Sequence, residues 1–319
     1  MSEPSSNTAT AGDWYRPWGS LHNGEWGAVV DDAIPGWRYT GLRVADLEGG
    51  ALHLPANDRE RIIIPLAGSC RVTYRVAGAT SAVECVLSGR ASVFDGPSDA
   101  LYVSLDTEVL VEGSGRIAVA EAPATRSFPP RYIASQDVPV ELRGAGRSTR
   151  QVHNFGVPGV LDADRLIVCE VITPSENWSS YPPHKHDEHI DGAESRLEEI
   201  YYFETAVARG SEVSAQGTDP IGYVRNYSSS AGAVETLAEV RSGDVALVPY
   251  GWHGPCMAAP GYDLYYLNVM AGPDEDRAWL ITDDPAHAWV RSTWAEQSPD
   301  PRLPYTRNTD RSHEGDDRS

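Results

Sequence analysis

The stretch 181-YPPHKHDEHI-190 holds three of the chain's nine histidines within six positions, and Lys185 in its middle is the only lysine among 319 residues. In a β-strand, side chains at i and i+2 share a face. His184 and His186 then point one way, roughly 7 Å apart along the chain, and Lys185 points the other. Two imidazoles so placed can converge on one cation, and Pro182 and Pro183 fix their entry. The alternative is a solvated loop that happens to be rich in histidine. Further ligands must come from other strands. Glu199 is the best-placed carboxylate, since it opens 199-EIYYF-203, in which Tyr201 and Phe203 share its face. Glu198 is one parity step away, and only one of the two can face inward. Glu188 and Glu194 lie in the polar connection and are poorer choices. His253 follows 243-GDVALVPYG-251, where Pro and Gly end a strand and present the next side chain at its mouth. Three neutral imidazoles and a carboxylate suit a divalent transition metal, zinc first and manganese or iron otherwise, with positions left open for substrate. An unpaired carboxylate inside an apolar shell would take up a proton or destabilise the fold by several kcal/mol, and a divalent ion reverses that.

The elements that must position these groups read as strands. Glycine (29) and proline (23) are frequent, and the apolar runs are short, β-branched and bounded by turn residues. Strands are expected over 61–78, 90–105 and 107–123, then over 165–174, 198–205, 221–228, 233–240, 243–251 and 262–272. Residues 275–283 could supply one short helix. Many short, evenly spaced strands point to an all-β barrel or sandwich. The halves are also loose copies: each has an apolar strand, a Gly-led strand ending in a Pro/Gly turn, and a further apolar strand. A Pro-, Gly- and Ser-containing linker over 123–150 would separate two lobes, 13–135 and 136–298, with polar tails at 1–12 and 299–319.

Composition excludes several classes. A formal charge of −20 and a pI near 4.7 repel phosphate backbones and anionic membranes, so neither is an expected partner. No run is long and apolar enough to span a bilayer, and the N-terminus has no basic segment followed by an apolar one. Cys70, Cys85, Cys169 and Cys256 are widely spaced without a C-x-x-C, which suits a reducing cytoplasm rather than a disulfide framework or a cysteine zinc knuckle.

At the proposed ligands the sequence resembles the cupin superfamily, whose motifs are G-x5-H-x-H-x3–4-E-x6-G and G-x5-P-x-G-x2-H-x3-N. The second reads here as Gly243, Pro249, Gly251 and His253, one residue short before the histidine. In the first, twelve residues separate His186 from Glu199, which reads as a longer hairpin loop. The strings 150-RQVHNF-155, 170-EVITPSENWSSYPPHKHD-187, 198-EEIYYF-203, 247-LVPYGWH-253, 262-YDLYYLNVMAGP-273, 284-DPAHAWV-290 and 92-SVFDGPSDALYV-103 resemble one family more closely, the 5-deoxy-glucuronate isomerases of myo-inositol catabolism. That resemblance implies a bicupin: two jelly-roll-like β-barrels, with the metal in the second and none in the first, which lacks His-x-His. It also implies isomerisation of 5-deoxy-D-glucuronate to 5-dehydro-2-deoxy-D-gluconate. The partner expected is a small sugar acid, with a homo-oligomer allowed.

Aldose–ketose isomerisation moves a proton between adjacent carbons through an enediol. It needs a Lewis acid at the oxygens and a base within hydrogen-bond reach. Tyr201, by parity with Glu199, and Tyr266 are the candidates for the proton-handling groups, although both could simply pack a barrel wall. Asn268 could line the last strand beside them. The substrate carboxylate calls for an arginine, and Arg225 in 223-YVRNY-227 is the choice. His153 could line the pocket or hold the lobe junction. Lys185 should be a surface or interface lysine, His189 a loop residue, His287 structural, and Cys256 a small buried hydrophobe. Two rival functions are an iron-dependent cupin dioxygenase and a non-enzymatic sugar-binding cupin.

Overall fold

The computed structural model describes residues 14–306. Among them are twenty strands and three short 3-10 segments, the longest being Ala288–Glu296. Most expected strands form, including Arg59–Val76, Thr107–Pro123, Ile167–Thr173, Glu198–Val207, Gly222–Ser229, Gly232–Val240 and Tyr262–Ala271. The expected strand over 90–105 is confined to Ala100–Val103, the residues before it being turns and irregular chain. Residues 275–283 are not helical. Their last two, Thr282–Asp283, pair instead with His184–Lys185. So short a segment makes too few intrahelical bonds to hold a helix alone, and an open strand edge supplies partners for its backbone.

The first lobe is one antiparallel sheet, ordered Ala28–Val30, Gly41–Leu54, Thr107–Pro123, Arg59–Val76, Ala100–Val103 and Arg131–Ile133, with Val83–Arg90 also on Arg59–Val76. Its long strands are bent by irregularities in register, at Glu48/Ala51 and at Pro65/Ala67. At the second bend Gly115 has φ +98°, and a Cβ there would sit 2.1 Å from the Ala67 carbonyl oxygen, so only glycine fits. The sheet closes around Leu52, Ile63, Val72, Leu101 and Val111, which fill its interior with apolar side chains.

The second lobe has two facing sheets. One runs Tyr15–Arg16, Val245–Val248, Glu198–Val207, Tyr262–Ala271, Ile167–Thr173, Arg150–His153, Val140–Arg143. The other runs Gly232–Val240, Gly222–Ser229, Trp252–Ala258, His184–Lys185, Thr282–Asp283, with Trp178–Ser179 also on Trp252–Ala258. The first of these sheets is apolar on both faces, and strand parity divides its side chains. Ile200 and Tyr202 join a core shared with Ile62, Ile64 and Ala118 of the first lobe. Tyr201 and Phe203 pack inward with Val224, Cys256 and Tyr266.

The boundaries differ from those expected. Tyr15–Arg16, assigned to the first lobe, extends the second lobe's sheet by pairing with Val245–Ala246. The segment 123–150 is partly ordered into Arg131–Ile133 on the first sheet and Val140–Arg143 on the second, because Ile133 and Val138 are apolar enough to be buried. Of the expected C-terminal tail, residues 299–306 are packed: Leu303 and Tyr305 join the shared core, and the Tyr305 N–H donates to Gln151 at 2.5 Å. The tail at 1–12 and the remainder from 307 lie outside the described residues. No helix among the described residues is long and apolar enough to cross a membrane.

The lobes are also joined through a buried ion pair. Arg90 donates to both oxygens of Glu170 at 2.6 and 2.7 Å, Tyr265 donates to the same carboxylate at 2.7 Å, and His153 Nδ1 lies 2.5 Å from it. His153 and Gln151 share one face of their strand and turn to this junction, so His153 does not reach the pocket. Burial alone would raise the Glu170 pKa, but the Arg90 charge and its hydrogen bonds, with His153, more than offset this and hold it at about 2.

Candidate metal centre

His184 and His253 are cross-strand partners, which sets their side chains side by side on one sheet. His186 lies beyond His184 on the same face, and Glu199 reaches them from the facing sheet. The three imidazoles each offer a nitrogen within 4.8 Å of the others. Glu199 Oε2 lies 3.0 Å from His186 Nε2 and 3.2 Å from His253 Nε2. All four side chains are buried. Glu198 turns the other way: its carboxylate accepts the backbone N–H groups of Tyr39 and Arg38 at 2.7 and 3.1 Å, pinning the first lobe.

The donor set fits a cation on its own chemistry. His186 Nδ1 is 3.1 Å from the Leu197 carbonyl and His253 Nδ1 is 3.1 Å from the Gly251 carbonyl. A carbonyl can only accept, so both Nδ1 atoms carry hydrogen. In the neutral rings each Nε2 then presents a lone pair, and both face the same Glu199 oxygen. His253 Nε2 is buried without a hydrogen-bond partner even though that oxygen is close. Lone pairs turned on one another are stable only with a proton or a metal between them, and backbone carbonyls that orient imidazoles are the usual outer support of a metal site. Where a proton takes that place, burial raises the Glu199 carboxyl, but hydrogen bonds and charge from His186 and His253 outweigh this and hold it at about 2, and the same contact raises His186 against its own burial. Burial, and then His253 and His186, push His184 well below the ordinary imidazole value. An ionised carboxylate beside a neutral imidazole is the protonation pattern a metal requires.

The twelve residues between His186 and Glu199 are folded back rather than loose. Lys185 is buried, against the expectation of a surface lysine. Its Nζ donates to Asp187 at 2.7 Å, Glu188 at 2.9 Å and Glu194 at 2.8 Å. Those three carboxylates would resemble a second cation site, but the cation they surround is the lysine's own. Asp187 also accepts the Gly251 N–H at 2.8 Å, tying the loop to the turn before His253. Next to that histidine Gly254 adopts φ +91°, and a Cβ there would lie 1.9 Å from the Ser180 carbonyl oxygen. This close approach holds the 180–184 segment against the His253 strand.

A cavity of about 480 Å³ opens beside the centre, lined by His184, Glu199, Ser180, Tyr201, Tyr266 and Asn268 together with Arg143, Arg150, Arg291, Trp279 and Trp294. The Ser180 hydroxyl lies 3.3 Å from the Tyr201 hydroxyl and 3.0 Å from that of Tyr266. Ser180 has φ +46°, a conformation that costs a non-glycine residue about 1–3 kcal/mol and collects at functional sites. Burial raises both tyrosines, so their hydroxyls stay protonated and act as donors. Asn268 faces the cavity with its Nδ2 unpartnered. Arg225 does not reach it: the side chain is exposed on the outer face and lies over Tyr227, because Val224 and Asn226 take the inward parity. The cavity's arginines and Ser180 went unnoticed in the sequence, although Arg150 has the parity of buried Val152, which was the available signal. His189 is exposed and pairs with Asp274 and Asp191, His287 packs near Tyr181, and Cys256 is buried among apolar groups.

The KduI/IolB family model matches residues 15–290. A 5-deoxy-glucuronate isomerase of Geobacillus thermodenitrificans is 39% identical over 259 residues, covering 80% of this chain and 87% of the relative. That of Bacillus subtilis strain 168 is 35% identical over 256 residues, covering 79% and 88%. An IolB-like protein of Salmonella typhimurium superposes with a TM-score of 0.74 at 33% identity, covering 87% of this chain and 98% of that one. Oxalate decarboxylase from Lactobacillus farciminis shares the fold alone, at a TM-score of 0.60 and 12% identity, over 88% and 91%. The architecture is the bicupin that the family resemblance implied, and the chain belongs to the KduI/IolB family.

Proposed function

We propose that the cavity is the active site of a metal-dependent aldose–ketose isomerase that converts 5-deoxy-D-glucuronate to 5-dehydro-2-deoxy-D-gluconate. The observation that carries this reading is the clustering of His184, His186 and His253, with Glu199 against the latter two, at the wall of a cavity rich in hydrogen-bond donors. Those four residues would hold one divalent cation, zinc first and manganese or iron otherwise. When bound, it supplies a Lewis acid for the substrate's carbonyl and adjacent hydroxyl. Tyr201 and Tyr266 keep their protons and donate to oxygens on which negative charge grows as the enediol forms, which stabilises the transition state more than the ground state. Ser180 holds the two hydroxyls in one hydrogen-bonded set. Asn268 offers its amide N–H to a substrate hydroxyl. The free thiols of Cys70, Cys85, Cys169 and Cys256 suit a reducing cytoplasm.

Three guanidinium groups in the wall suit an acidic sugar better than the apolar or aromatic substrates of cupin dioxygenases. Incubation with 5-deoxy-D-glucuronate under strict anoxia, followed by NMR, tests the reading. Loss of the aldehyde proton signal and appearance of the ketose are expected. Turnover that requires and consumes oxygen would contradict it.

A further inference from the structure

Of the three arginines lining the cavity, two are already neutralised. Arg143 pairs with Glu141 at 2.9 Å, and Arg291 pairs with Asp283 through both its Nε and a terminal nitrogen, the latter at 2.7 Å. Arg150 is the most buried of the three, at 8% exposure, and has no carboxylate within ion-pair distance among the described residues. Among the described residues its polar contacts are two long ones, to the Ser148 and Tyr181 carbonyls at 3.3 and 3.4 Å. Its guanidinium stands over the Trp294 ring at 5.8 Å. The indole N–H groups of Trp294 and Trp279, also in the cavity wall, are buried without acceptors. A buried, unpaired cation among unsatisfied donors is costly to the free protein, and its presence calls for an anion that arrives with the ligand.

We infer that Arg150 is the carboxylate-binding residue of this cavity, and that with the neighbouring indole N–H groups it selects small organic acids over their neutral analogues. The geometry supports this from the strand upward. In Arg150–His153 parity turns Gln151 and His153 to the lobe junction and leaves Arg150 and Val152 in the cavity wall, shared with His184 and Glu199. The guanidinium, planar by its own delocalisation, is a fork of N–H donors that matches a carboxylate in two parallel hydrogen bonds. Burial presses the Arg150 pKa down to about 10, and an incoming anion relieves that pressure. In a sugar acid whose aldehyde and carboxylate are its two chain ends, one end would meet the histidine cluster and the other Arg150. Only the identity of the acid rests on the isomerase reading; the subsite itself does not.

The test is calorimetric titration of the metal-loaded protein with D-glucuronate and with the neutral D-glucuronamide, beside steady-state kinetics on 5-deoxy-D-glucuronate. Wild-type protein should prefer the acid, and Arg150→Gln should weaken acid binding and raise KM about 10- to 100-fold, the range for losing a charge-assisted hydrogen-bond pair, with amide binding unchanged. Arg150→Lys, which keeps the charge but not the fork, should recover part of the loss and decides the matter if Arg150→Gln does not fold. Exposed Arg225→Ala should match wild type. Equal affinity of wild type for acid and amide, or unchanged acid affinity in the variants, would overturn the inference. Acid binding that depends on Arg150 without turnover would remove the isomerase reading and leave the subsite, whereas turnover with unchanged KM in Arg150→Gln would do the reverse.

Discussion

Lys185 Nζ lies 2.8 Å from Glu194 Oε1, and that same oxygen accepts the backbone N–H groups of Asp187 and Glu188 at 2.9 and 3.0 Å. Through this contact the long connection between His186 and Glu199 is drawn back onto the segment 184–186 that carries two of the imidazoles. Lys185 is therefore a positioning residue: it faces away from the histidine cluster and fixes the loop that leads to the carboxylate beside it.

Replacing Lys185 with methionine should strand two carboxylates whose side chains are 1% and 0% exposed, Asp187 and Glu194. Breaking a buried pair from one side costs about 3–5 kcal/mol, so the thermal midpoint should fall clearly. Metal content of the folded fraction should fall as well. An unchanged midpoint would show that solvent already screens the cluster.

The two adjacent glutamates should separate cleanly. Glu199→Gln removes an anionic donor and should weaken metal affinity by more than the 10- to 100-fold typical of an outer supporting residue. Glu198→Gln should leave metal content near that of wild type and lower stability instead, since it loosens the grip on Arg38 and Tyr39. Metal analysis and thermal unfolding of both variants check this.

Tyr201→Phe deletes one hydroxyl while keeping the ring packed against Phe203 and Tyr266. If that hydroxyl donates to developing charge, kcat should fall about 100-fold with little change in KM or metal content. A fall in metal content instead would assign Tyr201 to support of His253, whose ring is 6.2 Å away.

The lobe junction should titrate. Glu170 sits at about 2 in the folded protein against an ordinary value of 4.5. The unfolded chain therefore binds the proton first as pH falls, and stability from this group is complete above pH 4.5 and lost toward pH 2. At one pKa unit per 1.36 kcal/mol, this is on the order of 3 kcal/mol. The midpoint difference between wild type and Glu170→Gln should shrink across that window, while a constant difference would show that Arg90 does not depress the group.

The clustering of the three histidines was legible because strand parity and a Gly–Pro turn are local signals: His184 and His186 share a face by spacing alone, and Pro249 and Gly251 mark the turn before His253. The same parity rule places Arg225 outside and Arg150 inside, but an arginine in a strand reads as surface until its neighbours are known. Gly41–Leu54 escaped notice since its Gly49–Gly50 irregularity breaks the alternation. The role of Lys185 and the crossing of Tyr15–Arg16 into the second lobe depend on partners far away in the chain, which no local pattern reports.

Elemental analysis of the purified protein, paired with turnover of 5-deoxy-D-glucuronate before and after chelation and in His253→Ala, bears most directly on the shared site. About one divalent ion per chain is expected, with metal and activity lost together on chelation and in the variant, and both restored to the wild type by adding metal back. A chelated protein that keeps full turnover, or a His253→Ala variant with wild-type metal and activity, would contradict a cation held by His184, His186, Glu199 and His253.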